Sequence, residues 1–354
     1  MKNLPLPKGW QEVKLKDLFN NFSEKNHADK IILASTQDRG VIPNYMLGKD
    51  ILRKEDSLSN YKLVKKGCFI ISLRSFQGGF EYSNYEGIVS PAYTILEPKI
   101  KFESIFYKFY FKSHYFINKS LAKYVEGIRD GRQIRYEECK DISVPFPPLD
   151  EQKRIAEVLS LCDEVIENLT KLIEKKELYK KGIMQRVLSG EVRFKGFKDE
   201  WTFKSLEKIC SIKKGEQKNK LDLVENGKYP VLSGGMDFSG YYNSYNREAN
   251  TITISEGGNS CGYVNFIKTK FWASGHCYTL HDVNIDNLFL YQCLKYNENK
   301  IMKLRLGSGL PNIQLSYIRE YTLKIPKSIE EQKKIAGLLS VIDDDIDNLK
   351  KQLE

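Results

Sequence analysis

The segment EQKRIAEVLS at residues 151–160 returns as EQKKIAGLLS at residues 331–340, and seven of the ten positions are identical. A second repeated pattern, W-x4-L-x2-[L/I], begins at Trp10 and again at Trp201. The copies lie 191 residues apart at the opening pattern and 180 residues apart at the closing segment. Because the anchors match while the sequence between them differs, the pattern indicates a duplicated frame that holds two different inserts.

Each closing segment begins an amphipathic helix with a narrow apolar stripe. The apolar residues follow alternating steps of four and three, the 3.5-residue period that places a seam against another helix. The stripe residues are Ile155, Leu159, Cys162, Ile166, Leu169 and Ile173 in the first copy, and Ile335, Leu339, Ile342, Ile346, Leu349 and Leu353 in the second. We expect the two helices to pair antiparallel with each other; the alternative is that each helix packs on its own domain.

The ends of these helices carry recognisable signals. Pro148 precedes the first helix and Pro326 the second, as expected where a helix cannot extend backwards. Ser328 and Glu331 have the spacing of a capping box. Gly190 is a stop signal for the first helix, which is therefore predicted to run for about 35–40 residues and about 50–60 Å.

The inserts alternate strand-like and helix-like segments. Residues 66–72 and 249–255 each indicate a turn followed by a strand, and polar, glycine-rich loops come next. Helical stretches are expected near residues 104–124 and 286–304. The sequence thus predicts an α/β fold in which two α/β domains are joined by long paired antiparallel helices, as an internal pseudo-repeat. The predicted bounds are 1–148 for the first domain, 149–190 for the central helix, 191–328 for the second domain and 329–354 for the C-terminal helix.

Composition restricts the class of partner. The 354 residues carry a net charge of +10, which suits a polyanion such as nucleic acid. The seven cysteines form no C-x-x-C pair, and Cys261, His276, Cys277 and His281 lack the spacing of zinc ligands, so no metal site is predicted. No apolar run is long enough to span a bilayer and no secretory segment is visible, so we expect a cytoplasmic protein without membrane contact.

These anchors together resemble those of type I restriction–modification specificity subunits across essentially the full chain. The resemblance is carried by the two Trp-x4-Leu openings, by the two proline-then-EQKxIA helix starts, and by KGIMQ at residues 181–185. It implies two target-recognition domains that each read one half of a split double-stranded DNA site, with paired helices fixing the unread gap. It also implies protein partners: two adenine methyltransferase (M) subunits and, in the larger assembly, two ATP-driven restriction/translocase (R) subunits.

No catalytic site is predicted in the chain itself. Phe146 and Leu149 flank the Pro147–Pro148 pair, which therefore does not match the [N/D]-P-P-[Y/F] motif of adenine methyltransferases. No G-x-x-x-x-G-K-[S/T] motif is present, which argues against a P-loop ATPase. The E-x-K triplets at residues 151–153 and 331–333 lie in the first turn of a helix rather than on a strand. We therefore expect a non-catalytic subunit that binds no cofactor and contributes to DNA methylation and restriction only through recognition.

The candidate DNA-binding residues are polar side chains in or near the loops of the inserts. Arg and Lys hold phosphates, while Arg, Asn and Gln can make bidentate contacts to guanine or adenine edges. The candidates are Arg39, Arg74, Gln77, Arg129 and Arg132 in the first insert, and Asn259, Lys268, Asn312 and Gln314 in the second. For each of them, an ordinary solvated surface residue is the alternative interpretation.

Two alternative functions stay open on the sequence. Position 354 corresponds to position 174 of the first copy, so counterparts of residues 180–185 are absent from the second. A truncated or orphan specificity subunit would bind DNA but assemble incompletely with methyltransferase. A coiled-coil scaffold would instead bind protein through its inserts, although the net charge and the polar glycine loops favour DNA.

Overall fold

The computed structural model describes residues 6–48, 55–127, 132–307, 309 and 311–354. The chain divides into two compact units, residues 1–165 (unit 1) and residues 166–354 (unit 2). Within the described residues, no helix is both long and apolar enough to cross a membrane.

Unit 1 is built from short strands and helices around an aromatic core. Its strands are β1 (Gln11–Lys14), β2 (Phe19–Phe22), β3 (Leu33–Thr36), β4 (Gly40–Pro43), β5 (Lys62–Val64), β6 (Phe69–Ile71), β7 (Glu81–Tyr82), β8 (Gly87–Val89), β9 (Thr94–Pro98) and β10 (Ser143–Phe146). Its helices are α1 (Leu15–Leu18), α2 (Ser75–Gly78), α3 (Ser104–Lys112), α4 (Tyr136–Cys139) and the beginning of α5 (Leu149–Leu188). The core holds fully buried rings from β2, β6 and α3, including Phe19, Phe69 and Phe111.

Unit 2 contains the remainder of α5 and a second set of elements. Its strands are β11 (Thr202–Ser205), β12 (Ser211–Lys214), β13 (Tyr229–Leu232), β14 (Gly240–Tyr242), β15 (Thr251–Ser255), β16 (Val264–Ile267), β17 (Trp272–Ala273), β18 (Cys277–His281) and β19 (Thr322–Ile325). Its helices are α6 (Asn287–Tyr296), α7 (Glu298–Met302), α8 (Leu315–Glu320) and α9 (Ile329–Leu353). The predicted strands at residues 66–72 and 249–255 are confirmed as β6 and β15.

The two units repeat one topology. A four-stranded sheet has the order β2-β9-β6-β7 in unit 1 and β12-β18-β15-β16 in unit 2. The first and last strands of each insert pair antiparallel, as β1 with β10 and as β11 with β19. The opening tryptophans also match, since Trp10 lies edge-on to Phe106 of α3 and Trp201 lies edge-on to Phe289 of α6, each at 6.3 Å between ring centroids. The predicted internal repeat and α/β class are confirmed.

The glutamine of the repeated EQK is buried at the start of each long helix. In unit 1 the Gln152 side chain accepts a hydrogen bond from the backbone N–H of Glu103 (2.8 Å) and donates one to the carbonyl of Pro147 (2.7 Å). In unit 2 Gln332 accepts from the N–H of Asp286 (2.8 Å) and donates to the carbonyl of Pro326 (2.9 Å). Glu103 and Asp286 are the N-caps of α3 and α6. The amide therefore holds the shorter helix against the longer one in both units.

The predicted capping box at the start of α9 forms only in part. Ser328 accepts a hydrogen bond from the N–H of Glu331, as expected for an N-cap. The Glu331 carboxylate makes a bidentate pair with Arg193 at 2.8 Å instead of turning back to the helix terminus. Its side chain is 1% exposed, and an ionised carboxylate at that depth needs a charged partner.

Helices α5 and α9 lie side by side and antiparallel within unit 2. Three ion pairs join them: Lys176 with Asp345, Lys180 with Asp343, and Glu177 with Lys350. Ile173 and Ile346 of the predicted stripe are buried in this stretch. The predicted antiparallel pairing of the helices is thus present in unit 2.

The other stripe residues occupy different surroundings. Ile335 and Leu339 belong to the core of unit 2, which also contains Met184 and Val187 of α5. Ile155 packs against the core of unit 1, so own-domain packing also occurs in the first turns of the helices. Leu159, Leu169, Ile342 and Leu349 are partly buried, whereas Cys162, Ile166 and Leu353 are exposed. A helix-pairing role for the individual residues of the two stripes stays a prediction.

The helical stretches predicted near residues 104–124 and 286–304 are interrupted. After α3, Ser113 adopts an extended conformation, and its hydroxyl accepts a hydrogen bond from the N–H of Phe116. A π-helical turn and a 3₁₀ turn follow, at Phe116–Ser120 and Leu121–Tyr124. Serine competes with the helix for backbone hydrogen bonds, which accounts for the break.

We expect Gln332→Ala to lower the free energy of unfolding of unit 2 by about 2–4 kcal/mol. The substitution leaves two backbone groups, the N–H of Asp286 and the carbonyl of Pro326, without this partner, and each such loss costs about 1–3 kcal/mol. Urea denaturation followed by far-UV circular dichroism measures the change. Lys333→Ala, at an exposed neighbouring position of the same helix, is the control and should change stability by less than about 0.5 kcal/mol. Equal stabilities of the two variants would contradict the structural role of the amide.

Candidate nucleic-acid interface

Two loops of unit 1 bring together predicted DNA-binding residues. The first is the turn between β3 and β4, residues 36–40, which carries Arg39. The second, residues 72–79, surrounds α2 and carries Arg74 and Gln77. The Gln37 side-chain amide joins the loops, since it lies 3.4 Å from the Gln77 side-chain oxygen and 3.5 Å from the Arg74 carbonyl. Arg39, Arg74 and Gln77 are all exposed.

A cavity of about 590 Å³ opens between these loops and α3. Most of its lining residues carry amide or charged side chains. The side chains that can hydrogen-bond are Gln37, Asp38, Arg39, Gln77, Glu81, Tyr82, Asn84, Lys108, Lys112 and Asp163. Side-chain amides and guanidinium groups are the donors and acceptors that read adenine and guanine edges. The cavity therefore offers the chemistry that base recognition requires.

Arg132 lies beside the same loops. Its guanidinium carbon is 4.6 Å from the centre of the Phe76 ring, next to Gln77 in the sequence. Stacking on an aromatic face orients a guanidinium without using its N–H donors. The fifth predicted residue of the first insert, Arg129, lies outside the described residues.

Glu81 places a buried carboxylate next to these loops. Its side chain is 2% exposed and pairs with Lys112, the last residue of α3. Burial raises the pKa of Glu81, and the hydrogen bond and positive charge of Lys112 oppose that rise. The second carboxylate oxygen, Oε2, is buried without a hydrogen-bond partner among the described residues.

Unit 2 assembles its candidate surface from another pair of segments. The glycine loop at residues 256–260 runs along residues 311–314: the N–H of Gly258 donates to the carbonyl of Pro311 at 3.0 Å, and the N–H of Ile313 donates to the carbonyl of Glu256 at 2.9 Å. The predicted residues Asn259, Asn312 and Gln314 are therefore brought into adjoining segments, and all three side chains are exposed.

Glu256 is buried beneath this second surface. Its Oε1 accepts hydrogen bonds from Lys214 (2.6 Å) and from the Tyr278 hydroxyl (3.0 Å). Burial raises the pKa of Tyr278, so the phenol stays protonated and donates. The exposed His276 places Nδ1 3.5 Å from Oε2 of Glu256.

Lys268 does not join the other predicted residues of the second insert. It follows β16 and lies 3.8 Å from Asp344 of α9, where both side chains are exposed. It lines a different cavity, with Asp286, Asn287 and Ser340. A DNA contact by Lys268 stays a prediction.

Sequence patterns do not predict that Gln37, Lys112 or His276 belongs to these surfaces. Gln37 meets Gln77 across 40 residues, and Lys112 meets Glu81 across 31 residues. Lys112 ends a run of aromatic residues whose pattern indicates a core helix. Only the polar turn TQDRG at residues 36–40 could have directed attention to Gln37.

Comparison with known proteins identifies the family. The family model described as type I restriction modification DNA specificity domain matches residues 7–178 and again residues 198–354. These two matches cover most of the chain, so the protein belongs to this family. The double match agrees with the repeat seen in the sequence and in the fold.

Relatives show the same class. A putative type I specificity subunit of Mycoplasma pneumoniae is 40% identical over 157 residues, which are 44% of this chain and 42% of that protein. The chain thus matches less than half the length of this relative. The putative type I restriction enzyme MjaX specificity subunit of Methanocaldococcus jannaschii is 26% identical over 99% of this chain and 90% of its own length.

A solved structure confirms the fold. The crystal structure of the type I restriction-modification system S subunit from M. genitalium has a TM-score of 0.70 and 22% sequence identity to this chain. The match covers 99% of this chain and 94% of that one.

We expect Arg74→Ala and Arg132→Ala to weaken binding of DNA carrying the target site of the protein. The loss should be about 1–3 kcal/mol for a residue that reads a base and smaller for one that only holds a phosphate. Fluorescence anisotropy with labelled duplexes measures it. Lys16→Ala is the charge-matched control, because Lys16 is paired with Asp141 at 2.7 Å and lies in neither loop. Unchanged affinity in both arginine variants would remove these residues from the interface.

Proposed function

We propose that this chain is the sequence-specific DNA-binding subunit of a type I restriction–modification complex, and that each unit reads one half of a bipartite DNA site. The observation that carries the proposal is the double match to a DNA specificity family, at residues 7–178 and 198–354. Two copies of one frame with different loops suit two different half-site sequences. The arginine and amide side chains of the loops supply the chemistry of base readout.

The chain contributes recognition, and its partners supply catalysis. The partners that we propose are double-stranded DNA, the methyltransferase subunits and the restriction/translocase subunits. The family is described by DNA specificity, and the named relatives are specificity subunits. A protein-binding scaffold is not favoured, since it would leave this family membership without a role.

We also propose that the protein acts in the cytoplasm, where its DNA and methyltransferase partners would be. All seven cysteines carry free thiols, and all but Cys162 are buried. Free thiols are typical of a reducing compartment.

The proposal is tested by methylome sequencing of cells that express exchanged subunits. Replacing residues 20–145 with the corresponding insert of another specificity subunit should change one half of the methylated motif and leave the other half unaltered. The reciprocal exchange of residues 211–321 should change the other half, and serves as the matched control. Both halves changing together in either exchange would show that the units do not read separate half-sites.

We further propose that α5 sets the gap between the half-sites. An α-helix of 40 residues is about 60 Å long, and seven added residues lengthen it by about 10.5 Å. That length corresponds to about three base-pair steps of about 3.4 Å. Three steps also rotate the DNA by about a quarter-turn, which the recognition domains cannot follow freely.

Duplicating residues 169–175 directly before Lys176 should therefore lengthen the methylated gap by up to about three base pairs, or lower methylation, while the half-site sequences stay the same. The duplicated heptad repeats Leu169 and Ile173 and so keeps the seam towards α9. Seven Gly and Ser residues inserted between the exposed Glu225 and Asn226 are the control, because they lengthen the chain outside the helices. Full methylation with an unaltered gap in the heptad variant would show that α5 does not set the spacing.

A further inference from the structure

The ammonium group of Lys112 is bound to both candidate reading loops of unit 1. It donates to the carbonyl of Gln37 at 3.1 Å, in the first loop, and to the carbonyl of Gly78 at 2.9 Å, in the second. Its third partner is the buried carboxylate of Glu81 on β7. An ammonium group has three N–H donors, and these three acceptors engage all of them.

The backbone brings both loops close to the elements that carry this pair. Gly79 has φ +73°, and a Cβ at that position would lie 1.9 Å from the carbonyl oxygen of Phe111, the neighbour of Lys112. Gly40 has φ +69°, and a Cβ there would lie 2.9 Å from the carbonyl oxygen of Tyr82, the neighbour of Glu81. Only glycine permits both approaches at these dihedral angles. Both loops therefore pack against the residues that adjoin Glu81 and Lys112.

The surroundings of Lys112 distinguish it from a phosphate-binding lysine. Its side chain is 29% exposed, and its donors point at protein acceptors. A lysine that holds phosphate keeps N–H donors free for the phosphate oxygens and contributes about one unit to the salt dependence of binding.

We propose that Lys112, held by Glu81, is a positioning residue for DNA recognition by unit 1: it fixes the distance between the loop of Gln37 and Arg39 and the loop of Arg74 and Gln77, and thereby determines which bases the first half-site accepts. This inference rests on the proposed function, because it assumes that these loops read DNA. A bidentate contact requires both partners within normal hydrogen-bond distance, so a small shift of one loop relative to the other removes base discrimination while it leaves phosphate contacts in place.

The test compares Lys112→Met with Lys16→Met in the full chain, co-purified with its methyltransferase subunits. Both variants remove one positive charge from unit 1, and Lys16 pairs with Asp141 and lies in neither loop. The probes are three duplexes: one with the methylated motif, one with the first half-site substituted and one with the second half-site substituted. The measured quantity is the ratio of the Kd for a substituted duplex to the Kd for the motif. An inactive fraction of protein affects both terms alike and does not change this ratio.

We expect Lys112→Met to lower discrimination at the first half-site by about tenfold, since one bidentate contact contributes about 1–3 kcal/mol of discrimination. Discrimination at the second half-site and the slope of log Kd against log salt concentration should stay as in the unsubstituted chain. Lys16→Met should keep discrimination at both half-sites. If Lys112→Met does not fold, Lys112→Gln replaces it. Its shorter amide should also lower discrimination at the first half-site, but by less than Lys112→Met.

Three results would overturn the inference. One is unchanged first-half-site discrimination in a folded Lys112 variant. Another is an equal loss at both half-sites together with a lower melting temperature, which indicates general destabilisation. The last is a salt slope that falls by about one, which indicates a direct phosphate contact. Failure of the proposed function is distinguishable, because the unsubstituted chain itself would then bind the three duplexes equally.

Discussion

The side-chain amides of Gln152 and Gln332 make the contact on which the rest of each unit depends. Each amide is buried at the start of a long helix, and each bonds to the N-cap backbone of a shorter helix, α3 or α6. A buried amide must satisfy its donors and acceptor, so the long and short helices can meet in few relative positions. The short helix packs against the four-stranded sheet, and the loops at residues 72–79 and 256–260 directly follow strands β6 and β15 of that sheet.

The repeat is visible in the sequence, whereas the structural role of its glutamine is not. The EQKxIA segments are local and nearly identical, and their apolar spacing predicts the helices directly. The importance of the glutamine depends on a backbone N–H that lies 49 residues away in unit 1 and 46 residues away in unit 2. Sequence spacing favoured a capping role for Glu331, whereas the carboxylate is committed to Arg193. A buried ionic partner outweighs a local cap, and only tertiary structure reveals it.

For the candidate surfaces, the sequence predicts individual residues but not how they come together. Arg39, Arg74 and Gln77 stand in polar turns next to strands, and such turns expose their side chains whichever way the domain packs. Their assembly into one surface depends on contacts between loops, through Gln37 and Lys112, that no sequence pattern encodes. Lys268 is predicted, with Asn259, as a residue of the second insert that contacts DNA. In the structure it follows β16 and lies 3.8 Å from Asp344 of α9.

The two units differ most in how they hold their loops. Unit 1 uses a glutamate on β7 and a lysine at the end of α3, whereas unit 2 uses Glu256 after β15 and Lys214 at the end of β12. In both cases a lysine pairs with one oxygen of a buried carboxylate. The other oxygen has no hydrogen-bond partner among the described residues, and in unit 2 it lies 3.5 Å from Nδ1 of His276. The supporting pairs come from elements that do not correspond in the repeat, although the sheets and long helices do correspond. The loop supports have therefore diverged together with the loops, while the glutamine contact has stayed the same. A constant frame with a separate support for each surface allows one unit to change its candidate loops without disturbing the other, as the proposed reading of two separate half-sites requires.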